Sequence, residues 1–156
     1  MGYNTIISNR LYMGSDPIPN AYLPVDTLVL TAMEHQGSNY RGPRTILRVP
    51  LNDDGSPVTL DEVKLALQAG NAVARRLRRG EKILIVCHAG KNRSGLVTAL
   101  ALVNLGASST DAIQTVRRAR GQSALRNKDF FDLVHMHATH LHSVRTIRSQ
   151  DIGIQR

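Results

Sequence analysis

Apolar positions along the chain fall into two kinds of run. Leu11-Tyr12-Met13, Asp26-Thr27-Leu28-Val29-Leu30, Thr45-Ile46-Leu47-Arg48-Val49 and Lys82-Ile83-Leu84-Ile85-Val86 are short and bounded by turn residues, so they read as strands, the last of them buried. Between and after them lie longer stretches with helical spacing. Thr59 with Glu62 has the form of a capping box, opening a helix that runs to about Arg79 and stops at Gly80. Leu96 to Val103 is almost wholly apolar and predicts a buried helix, ended by Gly106. Ser108 or Ser109 starts another that reaches Arg120 before Gly121, and Asn127 caps a last helix from Lys128 to about Ile147. Strands interleaved with helices predict one α/β domain over residues 1–148, with 149–156 as a flexible C-terminal tail. Its sheet is expected to be mostly parallel and twisted, of about four or five strands, with helices on both faces.

Chemistry enters at the end of the fourth apolar block. Cys87, the only cysteine of the chain, is followed by His88-Ala89-Gly90-Lys91-Asn92-Arg93-Ser94-Gly95 and then by the apolar helix. A tight loop between strand and helix turns successive backbone N–H groups into one concavity that holds a tetrahedral dianion. A thiol attacks as its thiolate, and N–H dipoles, a helix N-terminus and a guanidinium all stabilise that anion. Arg93 offers a planar fork to two phosphate oxygens, which a lysine cannot. Ser94 can donate to the sulfur when it becomes the leaving group. A lone buried cysteine is more often inert. Glycine, arginine and serine at this spacing point instead to an activated nucleophile.

Cys-x5-Arg followed by Ser-Gly resembles the signature of the cysteine-dependent protein phosphatases. The rest of the chain resembles their small, atypical dual-specificity branch. Ile7-Ser8-Asn9-Arg10-Leu11-Tyr12-Met13-Gly14-Ser15 is similar to that branch's first strand, and Pro50-Leu51-Asn52-Asp53 to its acid loop. Val116-Arg117-Arg118-Ala119-Arg120 through Asn127 and Phe130 resembles its late helix–loop–helix. The resemblance implies hydrolysis of phosphotyrosine, and of phosphoserine and phosphothreonine, in proteins through a phosphocysteine intermediate. It implies Cys87 as nucleophile, Arg93 as phosphate ligand and Ser94 as support for the leaving thiolate. Residues His88, Ala89, Gly90, Lys91, Asn92 and Arg93 would form the phosphate-binding loop. Asp53 is expected to be the general acid and base, with Asp54 as second choice. The same stretch, Asn52-Asp53-Asp54-Gly55-Ser56-Pro57, is also strong turn chemistry, which suits a mobile acid loop. One departure stands out. The family carries His immediately before the nucleophile, and Val86 stands there, leaving the thiolate with less support.

Other readings share the loop. Gly90-x-Asn92-Arg93 is similar to the cysteine-dependent RNA 5′-triphosphatases, and Ala89-Gly90-Lys91 to tensin-type phosphoinositide phosphatases, although those have Lys where His88 stands. A sulfurtransferase or arsenate reductase also uses a cysteine in an anion loop. An acid upstream of a mid-chain Cys, with no second cysteine to resolve a disulfide, argues against both. A phosphopeptide-binding module without turnover is the remaining alternative, and Val86 is the feature that leans toward it.

Composition narrows the setting. At 42% hydrophobic the chain can build its own core, and no apolar run approaches the roughly 18 residues of a membrane span. Met1-Gly2-Tyr3-Asn4-Thr5 lacks a signal-peptide pattern, Ile6 breaks the myristoylation pattern, and an unpaired thiolate suits a reducing compartment. A cytoplasmic monomer is expected. A net charge of +8 attracts phosphorylated partners and implies weak nonspecific nucleic-acid binding at low salt. At 4% aromatic there is little to stack on bases, so dedicated single-strand binding is not expected. His135, His137, His140 and His142 do not make one ligand set at helical spacing. No metal and no cofactor is expected.

Overall fold

The computed structural model describes residues 3–17, 20–37 and 39–151. Five strands form one sheet: β1 (Tyr3–Ile7), β2 (Leu11–Gly14), β3 (Thr27–Ala32), β4 (Thr45–Leu51) and β5 (Ile83–Val86). Their order is β1-β2-β5-β3-β4, with β1 antiparallel to β2 and every other pairing parallel. β3 and β5 are buried at every position, as expected of central parallel strands covered on both faces. β1 had no counterpart in the apolar pattern, because an edge strand with a half-exposed face carries little periodic signal. It is set by the turn at Asn9, whose φ of 58° reverses the chain into the hairpin with β2.

Four helices follow: α1 (Leu60–Arg78), α2 (Arg93–Asn104), α3 (Ser109–Arg120) and α4 (Lys128–Asp151). The capping box forms as expected, Thr59 Oγ1 accepting from Glu62 N at 3.2 Å while Glu62 Oε1 accepts from Thr59 N at 3.2 Å. Ser108 caps α3, and Asn127 Oδ1 accepts from Phe130 N at 3.2 Å to cap α4. α1 and α2 pack closely because Gly70 has no side chain: a Cβ there would lie 2.7 Å from Leu100 Cβ. α4 continues past the expected end at Ile147 to Asp151, so the first residues of the expected tail are helical, and 152–156 lie outside the described residues.

The main core joins Leu11, Met13, Val29, Ile83 and Ile85 of the sheet to buried residues of all four helices, including Val73, Leu100, Ile113 and Phe130. The second apolar cluster, on Leu28, Leu30, Leu84 and Val86, is closed by Leu23, Val25 and the tyrosines Tyr3, Tyr12 and Tyr40. No α-helical residue belongs to it. A helical layer was expected on both faces. One face has it, and on the other strand residues and irregular segments serve, because their aromatic and branched side chains bury enough apolar area without a helix.

Candidate active site at the strand ends

The parallel strands share a direction, so their C-terminal ends lie side by side. Gly14 of β2 pairs with Val86 of β5, which pairs with Leu30 of β3. Four segments therefore leave the sheet at one edge. β2 is followed by Asp16, β3 by the 3-10 turn Met33–His35, β4 by Asp53 and β5 by Cys87.

Cys87 is 2% exposed and continues the ladder, its N–H reaching Gly14 O at 3.3 Å. The chain then turns tightly to Asn92 before α2 begins at Arg93. Every carbonyl from His88 to Asn92 is engaged on the outside of this loop. His88 O accepts from Asp16 N, Lys91 O from Leu125 N, and Asn92 O from Leu96 N. Arg120 takes the two between, its Nε donating to Gly90 O at 2.8 Å and its Nη2 to Ala89 O at 3.2 Å. With those oxygens engaged by the rest of the protein, the loop amides are left free to line one concavity. Gly90 N lies 3.2 Å from Cys87 Sγ, and Ser94 Oγ is also 3.2 Å from it. Gly90 has a φ of 68°, and a Cβ there would lie 2.5 Å from Arg120 Nη2 and from Gly14 C. Only glycine fits.

Arg93 is 12% exposed and bound edge-on by Glu34, Nη2 to Oε1 at 3.2 Å and Nη1 to Oε2 at 3.3 Å. Nη1 also reaches Leu51 O at 3.4 Å. Its Nε is buried and meets no acceptor among the described residues. The guanidinium is thus fixed by one edge with a donor left over, the arrangement that binds an oxyanion. Glu34 is held below the usual carboxylate range by its own backbone N–H and then by the Arg93 guanidinium.

Two aspartates flank the loop. Asp53 is half-buried, with Oδ2 accepting from Asn92 Nδ2 at 3.0 Å and Oδ1 from Asn127 Nδ2 at 2.8 Å. Asn92 Oδ1 in turn accepts from Asn127 N at 3.2 Å. Asp54 faces the other way and closes its own turn. It accepts from the Ser56 hydroxyl, from Ser56 N at 3.0 Å and from Asn52 Nδ2 at 3.1 Å. Those bonds, the Ser56 hydroxyl first, hold its carboxyl below the usual range. On the other side Asp16 is clasped by two histidines, His35 Nε2 at 2.5 Å and His88 Nδ1 at 2.7 Å.

Of the expected site residues, Gly90 and Ser94 meet Cys87, Asn92 meets Asp53 and Arg93 begins the helix behind them, whereas the Asp54 side chain does not join the group. Lys91 is turned away to Ser123 Oγ at 2.7 Å. Val86 belongs to the helix-free cluster with Leu28 and Leu30, on the sheet face away from the helices. Glu34, Asp16, His35 and Arg120 escaped the sequence reading. The signal for the first three was their place just after predicted strands, since a parallel sheet gathers such positions. The four histidines of α4 do not converge. His135 Nδ1 meets Ser109 Oγ at 2.7 Å, His137 Nε2 meets Asn104 Oδ1 at 2.8 Å, and His140 and His142 are exposed. Among the described residues no group of three or more His, Cys, Asp or Glu is placed to hold a metal ion. None of their helices is long and apolar enough to cross a membrane.

No protein-family model and no curated relative matches the chain. Solved structures do. The chain is similar to human DUSP28 with a TM-score of 0.76 at 24% identity, over 91% of this chain and 96% of that one. It is similar to a mouse putative dual specificity phosphatase complexed with zinc tungstate, TM-score 0.70 at 23% identity, over 92% and 91%. OH1 from the Orf virus, a tyrosine phosphatase with triple substrate specificity, matches with a TM-score of 0.63 at 21% identity, over 89% and 88%. The chain has the fold that these proteins share.

Proposed function

We propose, on the premise of that phosphatase fold, that the chain hydrolyses phosphate monoesters of proteins through a phosphocysteine intermediate. Phosphotyrosine is the expected substrate, with phosphoserine and phosphothreonine beside it. The observation that carries this reading is the loop whose carbonyls are all engaged outward, leaving amides, Ser94 and an unpartnered Arg93 Nε around one sulfur. In the first step the Cys87 thiolate attacks phosphorus and the ester P–O bond breaks. Asp53 gives its proton to the departing oxygen. In the second step the Asp53 carboxylate takes a proton from water, which attacks phosphorus as the S–P bond breaks. Ser94 donates to the thiolate as it leaves. Arg93 and the amides stabilise charge on the equatorial oxygens in both transition states.

Asn92 was the hint toward an RNA 5′-triphosphatase. Both ends of its amide are used within the protein, on Asp53 and on Asn127 N, which supports a role in holding the acid instead of reading RNA. The working partner is then a phosphorylated protein segment, and one copy of the chain supplies every residue of the site.

Phosphate release by the pure protein tests this, comparing a phosphotyrosyl peptide, a 5′-triphosphorylated RNA and a soluble phosphoinositide, each against Cys87→Ser. Turnover fastest on the peptide and abolished by Cys87→Ser is the expected result. Faster turnover of the RNA or the lipid headgroup would replace the protein substrate. Peptide binding without phosphate release would make the chain a binding module.

A further inference from the structure

His88 is the one sizeable side chain of the loop that is largely exposed. Gly90 has none and Ala89 has a methyl. Lys91 is committed to Ser123, Asn92 to Asp53 and Asn127, and Arg93 is buried against Glu34. The His88 side chain is 68% exposed, yet it is not free to turn. Asp16 holds it twice, by carboxylate to Nδ1 at 2.7 Å and by N–H to its carbonyl at 3.3 Å. Asp16 is itself braced by His35, which is 8% exposed and whose Nδ1 is buried with no partner among the described residues. Leaving a buried polar nitrogen unpaired destabilises a fold. Here the same residue, through its Nε2, braces the Asp16 carboxylate that holds the His88 ring.

We propose that His88 is a specificity residue whose imidazole forms one wall of the mouth and lies against the aromatic ring of an aryl phosphate, with Asp16 and His35 as positioning residues. The proposal rests on the phosphatase reading and narrows it toward phosphotyrosine. Asp53 on one side of the loop must reach the ester oxygen of a phosphoryl group seated over Cys87, so the group beyond that oxygen leaves the mouth between Asp53 and the exposed His88. A flat ring held at a fixed angle gives a second flat ring an edge or a face to pack on. An alkyl phosphate ends too soon to use that wall.

The test is kcat/KM for a phosphotyrosyl and a phosphothreonyl peptide of the same flanking sequence. His88→Ala is expected to lower the tyrosyl-to-threonyl ratio by about fivefold, mainly through KM, the scale of one aromatic contact. His88→Phe should restore the ratio, and Asp16→Ala should lower it while leaving the residue at 88 intact. An unchanged ratio in His88→Ala overturns the proposal, as does an equal loss on both peptides, the mark of a merely structural role. Should the wild type turn over neither peptide, the phosphatase reading fails alone. Calorimetric binding of the same two peptides to the Cys87→Ser protein then reads the ratio, and no preference for the tyrosyl peptide, or a preference that His88→Ala leaves intact, overturns the proposal.

Discussion

Asp53 and Asp54 are neighbours with opposite employment. Both oxygens of Asp53 meet carboxamide donors that belong to the loop and to the start of α4, whereas Asp54 spends its oxygens on Ser56 and Asn52. A proton donor acts only where its carboxyl reaches the departing oxygen, so this geometry separates two residues that turn chemistry treats alike. Asp53→Asn is expected to slow hydrolysis of a poor leaving group such as an alkyl phosphate by about a hundredfold or more, and of p-nitrophenyl phosphate far less. Asn127→Ala should show the same leaving-group dependence in weaker form, since it removes the donor at Oδ1, and Asp54→Ala should not. Rates for a series of aryl and alkyl phosphates check this; equal losses across the series would sink the assignment.

Single elements do two jobs at once. The 3-10 turn Met33–His35 delivers Glu34 to Arg93 at one end of the loop, and through His35 and Asp16 reaches His88 at the other. It is anchored by Gln36 Nε2, which donates to Leu30 O at 3.1 Å and Ala32 O at 2.7 Å. The connection from α3 to α4 likewise caps a helix and steadies the loop. Leu125, buried and at φ 58°, donates to Lys91 O while its side chain lies over Gly95. That left-handed backbone is unusual for a bulky residue and persists because packing on both sides demands it. Further along, α4 is tied to α2 by His137 and Asn104. Burial first, then the nearby His140 and Arg145, pushes the His137 imidazole below its ordinary 6.5. The neutral ring is the folded form, so the unfolded chain takes up the proton first and stability falls as pH drops below 6.5. The stability advantage of wild type over His137→Gln, read from urea midpoints, should therefore be full above pH 6.5 and shrink below it. An advantage that does not change with pH would contradict the burial.

Across the whole molecule a net charge of +8 surrounds the proposed phosphate site. Long-range attraction of this kind acts through solvent and is screened beyond about 10 Å at 0.1 M salt. kcat/KM for an acidic phosphopeptide should fall at least about twofold as salt rises from 0.1 to 0.5 M, with kcat nearly constant. A salt-independent kcat/KM would assign the arginines to solvation alone. Asp53 was singled out by resemblance, whereas the strand–loop–helix around Cys87, the four strands of the parallel block and the helix starts were legible in the order of residues. Each rests on chemistry within a few positions of itself: a run of apolar residues, Thr59 facing Glu62, Cys87 and Arg93 joined by one turn. The helix-free face was not legible, because tyrosines scattered over positions 3 to 40 join one cluster only once the strands are paired. Nor were Glu34 on Arg93, Asp16 between two histidines or Arg120 on the loop carbonyls. Those partners stand 59, 72 and 31 positions apart in the chain at their widest (34 to 93, 16 to 88, 89 to 120), and no local pattern links them. The strand order β2-β5-β3-β4 brings their segments to one edge, so the site's chemistry was written locally while its support came from the parallel sheet.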